Sequence, residues 1–156
     1  MEFFKPEAFL GYLTNGFLLK GVLITLGMTV VTVIGGMLLG VLIAFMRMAS
    51  NPVVTQLARF YLWVFRGTPL LIQLVIIYTG LPQLGIRLGV VESSLLALIL
   101  NEAAYMAEIV RSGFLGVPAG QREAGDSLGL PRWLVVWEVT FPQAFRLVIS
   151  PLGNSR

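Results

Sequence analysis

Residues 120–142 read GQREAGDSLGLPRWLVVWEVTFP. This charged, glycine-containing stretch lies between apolar stretches that are typical of membrane spans. Gly129 suits the end of a helix because glycine tolerates a positive φ, and Pro118 and Pro131 suit the first turns of helices. The pattern predicts two short helices broken at Gly129, placed at a membrane surface to meet another protein.

The composition indicates a membrane protein without enzyme chemistry of its own. Of the 156 residues, 56% are hydrophobic and 12% are charged, and soluble domains carry about twice that charged fraction. The chain has no cysteine and no histidine, which excludes disulfides, thiolate or imidazole metal sites and histidine-based triads. No GxxxxGK[ST] phosphate-binding motif occurs, so we expect no ATP hydrolysis by the usual P-loop mechanism. With these groups missing, we expect no catalytic residue, no cofactor and no metal site.

Three apolar stretches are long enough to predict membrane spans, and the second is expected to bend or begin near Pro69. In the first, Gly36 and Gly40 form a GxxxG pattern that allows close helix packing. The predicted bounds are residues 20–46, 68–84 and 93–114, with an interfacial lead-in over residues 53–67 and the start of a fourth span over residues 144–156.

The basic residues predict the orientation, because lysine and arginine accumulate on the cytoplasmic side of a membrane. They are scattered and form no clustered face, so a nucleic-acid partner is not expected. The count favours an outside amino terminus and a cytoplasmic segment over residues 116–142. Seven basic residues lie on the predicted cytoplasmic side (Arg47, Arg59, Arg66, Arg111, Arg122, Arg132 and Arg146) and three on the other (Lys5, Lys20 and Arg87).

The third predicted span has a polar face. Asn101, Tyr105 and Glu108 are separated by four and then three residues, which places them on one side of a helix. Ionisable groups inside a membrane are costly and either line pathways or pair with partners. Asn101, Glu102 and Tyr105 are therefore candidates for a substrate pathway. The alternatives are that Glu102 pairs structurally with an arginine and that Glu108 pairs with Arg111.

Residues 120–142 resemble the EAA loop of ABC-transporter permeases, the cytoplasmic element that docks on the ATPase subunit. The loop's pattern is Glu-Ala-Ala, a glycine four residues after the third position, and a hydrophobic-x-Leu-Pro ending. This chain has E-A-G, a glycine at the same spacing, and V-T-F-P. The resemblance implies an ATPase-coupling role for Gly120, Glu123, Ala124, Gly125, Gly129 and Pro142.

Further motifs are similar to permeases that import polar amino acids from an extracytoplasmic binding protein. They are FRGTPLLIQ (65–73), NEAAYMAEIVR (101–111), PQA (142–144) and PLGN (151–154). The resemblance implies an all-α membrane protein, a multi-span helix bundle with a cytoplasmic two-helix coupling loop over residues 116–142, located in the cell (inner) membrane. It also implies two ATPase subunits, a second permease subunit in a homo- or heterodimer, and a binding protein as partners.

The implied function is a permease subunit that passes a polar or charged amino acid across the membrane by alternating access. Because the family continues past PLGN with further spans, we expect this chain to be a partial, carboxy-terminally truncated transmembrane domain. One alternative is an ATP-independent channel or secondary-carrier subunit with a carboxylate relay through Glu102 and Glu108. Another is a fragment that docks on partners without transport. The sequence leaves the particular amino acid open.

Overall fold

The computed structural model describes Gly11 and residues 15–153, which form helices and connecting turns and no strand. A π-helical turn (Ile76–Gly80) and a 3₁₀ turn (Leu81–Leu84) follow the helix Leu70–Val75, and a second π-helical turn (Val135–Thr140) joins the helix Arg132–Leu134 to the helix Phe141–Gly153. The helices are α1 (Gly16–Met48), α2 (Pro52–Gly67), α3 (Leu70–Val75), α4 (Val90–Leu115), α5 (Ala119–Ser127), α6 (Arg132–Leu134) and α7 (Phe141–Gly153).

Helices α1 and α4 are each long and apolar enough to cross a membrane. At about 1.5 Å per residue they extend roughly 50 and 39 Å, more than the roughly 30 Å of a hydrocarbon core. Helix α1 begins after Asn15, whose side chain accepts a hydrogen bond of 2.9 Å from the Phe17 amide. Helix α4 begins at Val90, a little before the predicted start. Which of their residues lie in lipid stays a prediction.

The chain turns sharply at Pro69, as predicted. Helix α2 and the segment Leu70–Leu84 meet at 106°. Helix α2 starts at Asn51, whose side chain caps the Val53 amide at 2.9 Å. The segment Leu70–Leu84 extends about 22 Å, which is short for a span. The described residues therefore contain two candidate spans, or up to three if the bent pair counts as one.

Small residues bring α1 and α4 together in the most extensive helix contact of the described chain. Gly40 lies so close to α4 that an added Cβ would stand 2.7 Å from the Met106 Cβ and 2.9 Å from the Ala103 carbonyl oxygen. Gly36 lies in the same way against Glu102. The core around this contact is Ile43, Ala44, Ala58, Leu62, Ala103, Ala104, Met106, Ala107, Val110, Phe114, Val117 and Ala144.

The second helix of the predicted coupling loop does not end at Pro142. From Arg132 the chain stays helical through the π-helical turn and α7 to Gly153, so no break in the helix separates the predicted coupling loop from the predicted start of a fourth span. A proline lacks an amide hydrogen and clashes with the carbonyl four residues earlier, and a preceding π-helical turn relieves this by widening the helix. Pro142 is therefore accommodated. Residues 154–156 of the predicted fourth span and of PLGN lie outside the described residues.

The outer surface is as apolar as a lipid-facing surface must be. Large hydrophobic side chains are exposed along most of α1, for example Leu23, Leu38 and Leu42, and along α2. Soluble monomers rarely expose contiguous apolar patches above a few hundred Å². The fold is therefore a helix bundle whose outer surface is suited to contact with lipid or with further protein.

We predict that Gly40→Val destabilises the bundle by about 1–3 kcal/mol, the usual cost of overpacking a filled site. The added side chain would collide with the backbone of α4 at Ala103. Gly27→Val is the matched control, because the same helix has open space within 4 Å at that position. Thermal unfolding in detergent measures both. Equal losses from the two variants would contradict the packing assignment.

Candidate functional site

The EAA-like segment, residues 116–142, contains α5 and a turn closed by Gly129. Gly129 has φ 70°, the conformation predicted for it. Its amide donates to the Asp126 carbonyl at 3.0 Å, and the Leu130 amide donates to the Gly125 carbonyl at 3.2 Å. These two bonds form a Schellman motif, which satisfies carbonyls left free at a helix end. The turn is thereby fixed in shape.

Three contacts fix α5 against the helices before and after it. The Arg122 guanidinium donates to the Phe114 carbonyl at the end of α4 at 3.0 Å. The Gln143 amide donates to the Gln121 side-chain oxygen at 3.2 Å. In the third contact, Gly125 is buried against Val135. Helix α5 is consequently tied to both α4 and α7.

Gly125 packs inside this chain, against the second half of the segment. An added Cβ would stand 2.8 Å from the Val135 Cγ2. The other predicted coupling residues, Gly120, Glu123, Ala124, Gly129 and Pro142, are exposed. The structure therefore divides the motif into an inner contact at Gly125 and a free outer surface.

The second half of the segment packs against the bundle through a few of its apolar side chains. Val135 is buried, as is Thr140, and Phe141 lies with its ring centroid 6.3 Å from that of Phe114. Trp137 is exposed. Its ring contacts Phe141 at 5.2 Å. The contact with α4 thus runs through Phe141, whereas Val135 packs against Gly125 of α5.

A second site lies where the bend at Pro69 meets α4, and we call it the corner network. It comprises the Phe65 carbonyl, Thr68, Gln73 and Asn101. The Gln73 amide donates to the Phe65 carbonyl at 2.9 Å and to both oxygens of Thr68. The Asn101 amide donates to the same Phe65 carbonyl at 3.3 Å and to the Gln73 Oε1 at 3.2 Å. Asn101 is thus engaged in holding the bend.

The rest of the polar face of α4 is partly occupied by ion pairs. Glu108 pairs with Arg111, as predicted, and the Arg111 Nε donates to its Oε1 at 3.1 Å. The Arg66 guanidinium lies 3.8 Å from Glu108 and over the Tyr105 ring, 5.8 Å from the ring centroid. Tyr105 is exposed. Glu108 is thus bracketed by two arginines of different helices.

Glu102 differs from its neighbours. It is partly buried and its stem packs against Gly36 of α1. Neither ion pair in the part of the chain that the structure describes includes it, so the predicted alternative of a structural arginine partner is not found there. Among the three predicted pathway residues, Glu102 carries the carboxylate that these contacts leave uncompensated.

Sequence reasoning missed Gln73, Tyr61 and Arg122 as structural residues. The Tyr61 hydroxyl donates to the Leu100 carbonyl at 2.6 Å and joins α2 to α4 beside the corner network. Gln73 is a lone amide inside the apolar run after Pro69. Such a group is costly away from water unless it is hydrogen-bonded, and this signal could have identified it. Arg122 offered no such signal, because arginine is common in exposed segments.

The chain is similar to known membrane components over nearly its whole length. Residues 36–155 match the family model described as binding-protein-dependent transport system inner membrane component. A crystal structure of an amino acid ABC transporter with histidines superposes with a TM-score of 0.88 at 37% sequence identity, and the match covers 97% of this chain and 70% of that chain.

Curated relatives include two permeases named for arginine transport and one named for glutamine transport. The arginine transport system permease protein ArgU of Corynebacterium glutamicum is 40% identical over 98% of this chain and 52% of its own length. The putative glutamine transport system permease protein GlnP of Rickettsia bellii and the arginine transport system permease protein ArtQ of Bacillus subtilis are each 40% identical over 88% of this chain and 64% of their own length. The chain therefore spans about half to two thirds of these relatives.

We predict that Gln73 and Asn101 are energetically coupled. Their shared acceptor means that Gln73→Ala and Asn101→Ala together should cost less than the sum of the single losses, by about 0.5–2 kcal/mol. Gln83→Ala is the control, because Gln83 is exposed and bonds only the nearby Thr79 carbonyl. A double-mutant cycle of unfolding in detergent measures the coupling, and strictly additive losses would contradict it.

Proposed function

Because this chain belongs to the family of binding-protein-dependent transport system inner membrane components, we propose that it forms part of a permease subunit of an ATP-driven amino-acid importer. Its relatives include amino-acid ABC permeases. In the complete permease, this part would supply the coupling segment and a portion of the substrate pathway. The energy would come from ATPase subunits that bind from the cytoplasm. The permease would alternate between an outward-open and an inward-open state.

The observation that supports this proposal most strongly is the arrangement of α5. Its outer side presents Gly120, Glu123 and Ala124, small residues with one carboxylate among them. A small-residue surface lets a partner approach closely, and an exposed carboxylate can pair with a basic residue of the partner's groove. The inner side of α5 is held by Arg122 and Gly125. We infer that an ATPase subunit grips the outer side.

Movement of α5 would reach the membrane through α4. The Arg122 bond to the Phe114 carbonyl joins α5 to the end of α4, and α4 carries the pathway candidates along its length. When two ATPase subunits close on ATP, a rigid-body shift of α5 would therefore displace α4. Packed helices respond to such shifts by moving between discrete arrangements. This supports coupling of ATP hydrolysis to opening and closing of the pathway.

The substrate we propose is a polar or cationic amino acid. The relatives named for arginine and glutamine transport give this class. Within the chain, Glu102 is our candidate for contact with the substrate's ammonium or guanidinium group, because its carboxylate has no ion-pair partner in the described residues and an unpaired carboxylate inside a span is costly. Asn101 and Tyr105 would act at most indirectly, the first through the corner network and the second beneath Arg66.

We propose the membrane orientation and the partner proteins on the same grounds. The excess of arginines around the EAA-like segment supports a cytoplasmic position for it and an outside amino terminus. The permease would pair with itself or with a homologous permease in the cell membrane and receive its substrate from an extracytoplasmic binding protein.

The alternative of an ATP-independent carboxylate relay has little support. Glu102 and Glu108 are separated by about 9 Å along the axis of α4, at about 1.5 Å per residue. Glu108 is also held by Arg66 and Arg111, which stabilise its ionised form. A proton passing between them would have no carboxylate ready to accept it. Family membership favours the ATP-driven reading as well.

We predict that Glu123→Arg in the complete permease lowers ATP-dependent uptake roughly tenfold or more, because it reverses the charge offered to the ATPase groove. Thermal stability should not change, since Glu123 is exposed. Glu138→Arg is the matched control, an exposed carboxylate in the same segment. Uptake and stimulated ATPase activity in vesicles measure both. Uptake driven by an ion gradient without the ATPase would reject the importer proposal itself.

We predict that Glu102→Gln raises the KM for arginine uptake roughly tenfold or more, the loss expected on removing a hydrogen-bonded charge partner. The KM for glutamine should change less, because glutamine lacks the side-chain cation. Glu92→Gln, in the first turn of the same helix, is the control. An unchanged KM for arginine in the Glu102 variant, with uptake intact, would remove Glu102 from the pathway.

A further inference from the structure

A cavity of about 360 Å³ lies between the end of α1, α2 and the later part of α4, and we call it the arginine pocket. Three guanidinium groups and one carboxylate line it, together with an indole ring. This concentration of positive charge differs from the scattered arginines expected from the sequence. The lining consists of Arg47, Arg59, Leu62, Trp63, Arg66, Gly67 and Glu108.

The carboxylate does not balance this charge. Glu108 is already paired with Arg111 and lies 3.8 Å from Arg66. Arg47 and Arg59 take part in neither ion pair of the described residues, and the buried Nε of Arg47 has no hydrogen-bond partner there. Arg59 and Arg111 each repel the charge of Arg47 more strongly than Glu108 attracts it. The three arginines of the lining and Arg111 face one glutamate, which leaves a surplus of three positive charges. An anion bound in the pocket would reduce this surplus.

The exposed side of α2 indicates the kind of anion. Arg59, Trp63 and Arg66 are separated by four and three residues, so they lie on one face of the helix. Trp63 is 73% exposed and Phe60 beside it is 61% exposed, their rings 6.1 Å apart. Exposed tryptophan flanked by arginine is typical of residues at the headgroup level of a bilayer.

The bend at Pro69 supports the same depth. Helix α2 makes an angle of 106° with the segment Leu70–Leu84. If that segment enters the membrane, α2 lies close to the membrane plane, as amphipathic interfacial helices do. The arginine pocket then opens beside the headgroups, with the apolar residues of α2 next to the acyl chains.

We propose that the arginine pocket binds the phosphate of an anionic phospholipid. Guanidinium groups match phosphate through parallel hydrogen bonds, and basic pockets between membrane helices accept anionic headgroups. The phosphate would satisfy Arg47 and Arg59, and the acyl chains would lie along the exposed side of α2 near Phe60. Because α1, α2 and α4 all border the pocket, a bound lipid would also join the bundle to the bent pair. Lipid binding in the arginine pocket would require neither the substrate nor the ATPase.

The test measures lipid that stays bound to the complete permease. The protein is exchanged from vesicles of phosphatidylglycerol and phosphatidylcholine into detergent, and the retained lipids are counted by native mass spectrometry. Arg47→Gln and Arg59→Gln should each lower retained phosphatidylglycerol about fivefold, as expected for loss of one basic contact to an anionic lipid. Arg87→Gln, in the exposed connection before α4, should retain it like the unaltered chain. Arg59 is also exposed, so its replacement should leave the fold intact.

Two results would overturn the proposal. If the Arg47 and Arg59 variants retain as much phosphatidylglycerol as the Arg87 variant, the pocket holds no lipid. If millimolar inorganic phosphate displaces phosphatidylglycerol from the unaltered protein completely, the site belongs to a soluble anion and not to a lipid. Retention that falls in both pocket variants and persists in phosphate supports the lipid assignment.

Discussion

The carbonyl of Phe65 accepts hydrogen bonds from two side-chain amides, and the path of the chain around Pro69 depends on this. A helix that ends at Gly67 leaves its last carbonyls without partners, and Pro69 has no amide hydrogen to offer them. Gln73 reaches back from the following segment and Asn101 reaches across from α4. Gln73 is only 5% exposed, so water cannot replace these bonds. The bend therefore persists because α4 is present.

The same constraint governs the connection to the EAA-like segment. The end of α4 also leaves carbonyls free, and Arg122 of α5 binds the one of Phe114. At the end of α5, the backbone amides of the Schellman turn at Gly129 bond the free carbonyls locally. Orphaned carbonyls at three helix ends are thus satisfied, and at the ends of α2 and α4 the bonds also fix one element against another. In the proposed importer, α4 would therefore connect the bend at Pro69 to the EAA-like segment without interruption.

How much of the fold could be predicted depended on whether the signal was local. The bend at Pro69 and the positive φ of Gly129 follow from the residues themselves, and both are found. The continuation of the helix past Pro142 does not, because it depends on packing. Ala144 is buried in the core, and Gly113 lies against the Ala144 carbonyl and Val148. Tertiary contact of this kind decides helix extent more strongly than propensity does.

Each of the two π-helical turns precedes a proline, so the sequence does contain a local signal for these distortions. Ile76–Gly80 ends two residues before Pro82, and Val135–Thr140 ends two residues before Pro142. A proline in a helix conflicts with the carbonyl one turn earlier, and the wider turn moves that carbonyl aside. After Pro82 the helix tightens into the 3₁₀ turn and ends at Gly85, which has φ 86°. After Pro142 the helix continues. The proline predicts the distortion, and the surrounding packing decides whether the helix survives it.

The polar face of α4 shows why a candidate site cannot be resolved from spacing alone. Asn101, Tyr105 and Glu108 share a face, and helical periodicity treats them as equivalent. Their environments separate them. Asn101 supports the bend, and Glu108 is neutralised by Arg66 and Arg111. A polar residue inside a membrane bundle is either satisfied by its own chain or left to meet a ligand, since its desolvation is costly in both cases. By that criterion Glu102, which packs opposite Gly36 and has no ion-pair partner among the described residues, supports the proposed contact with a charged substrate.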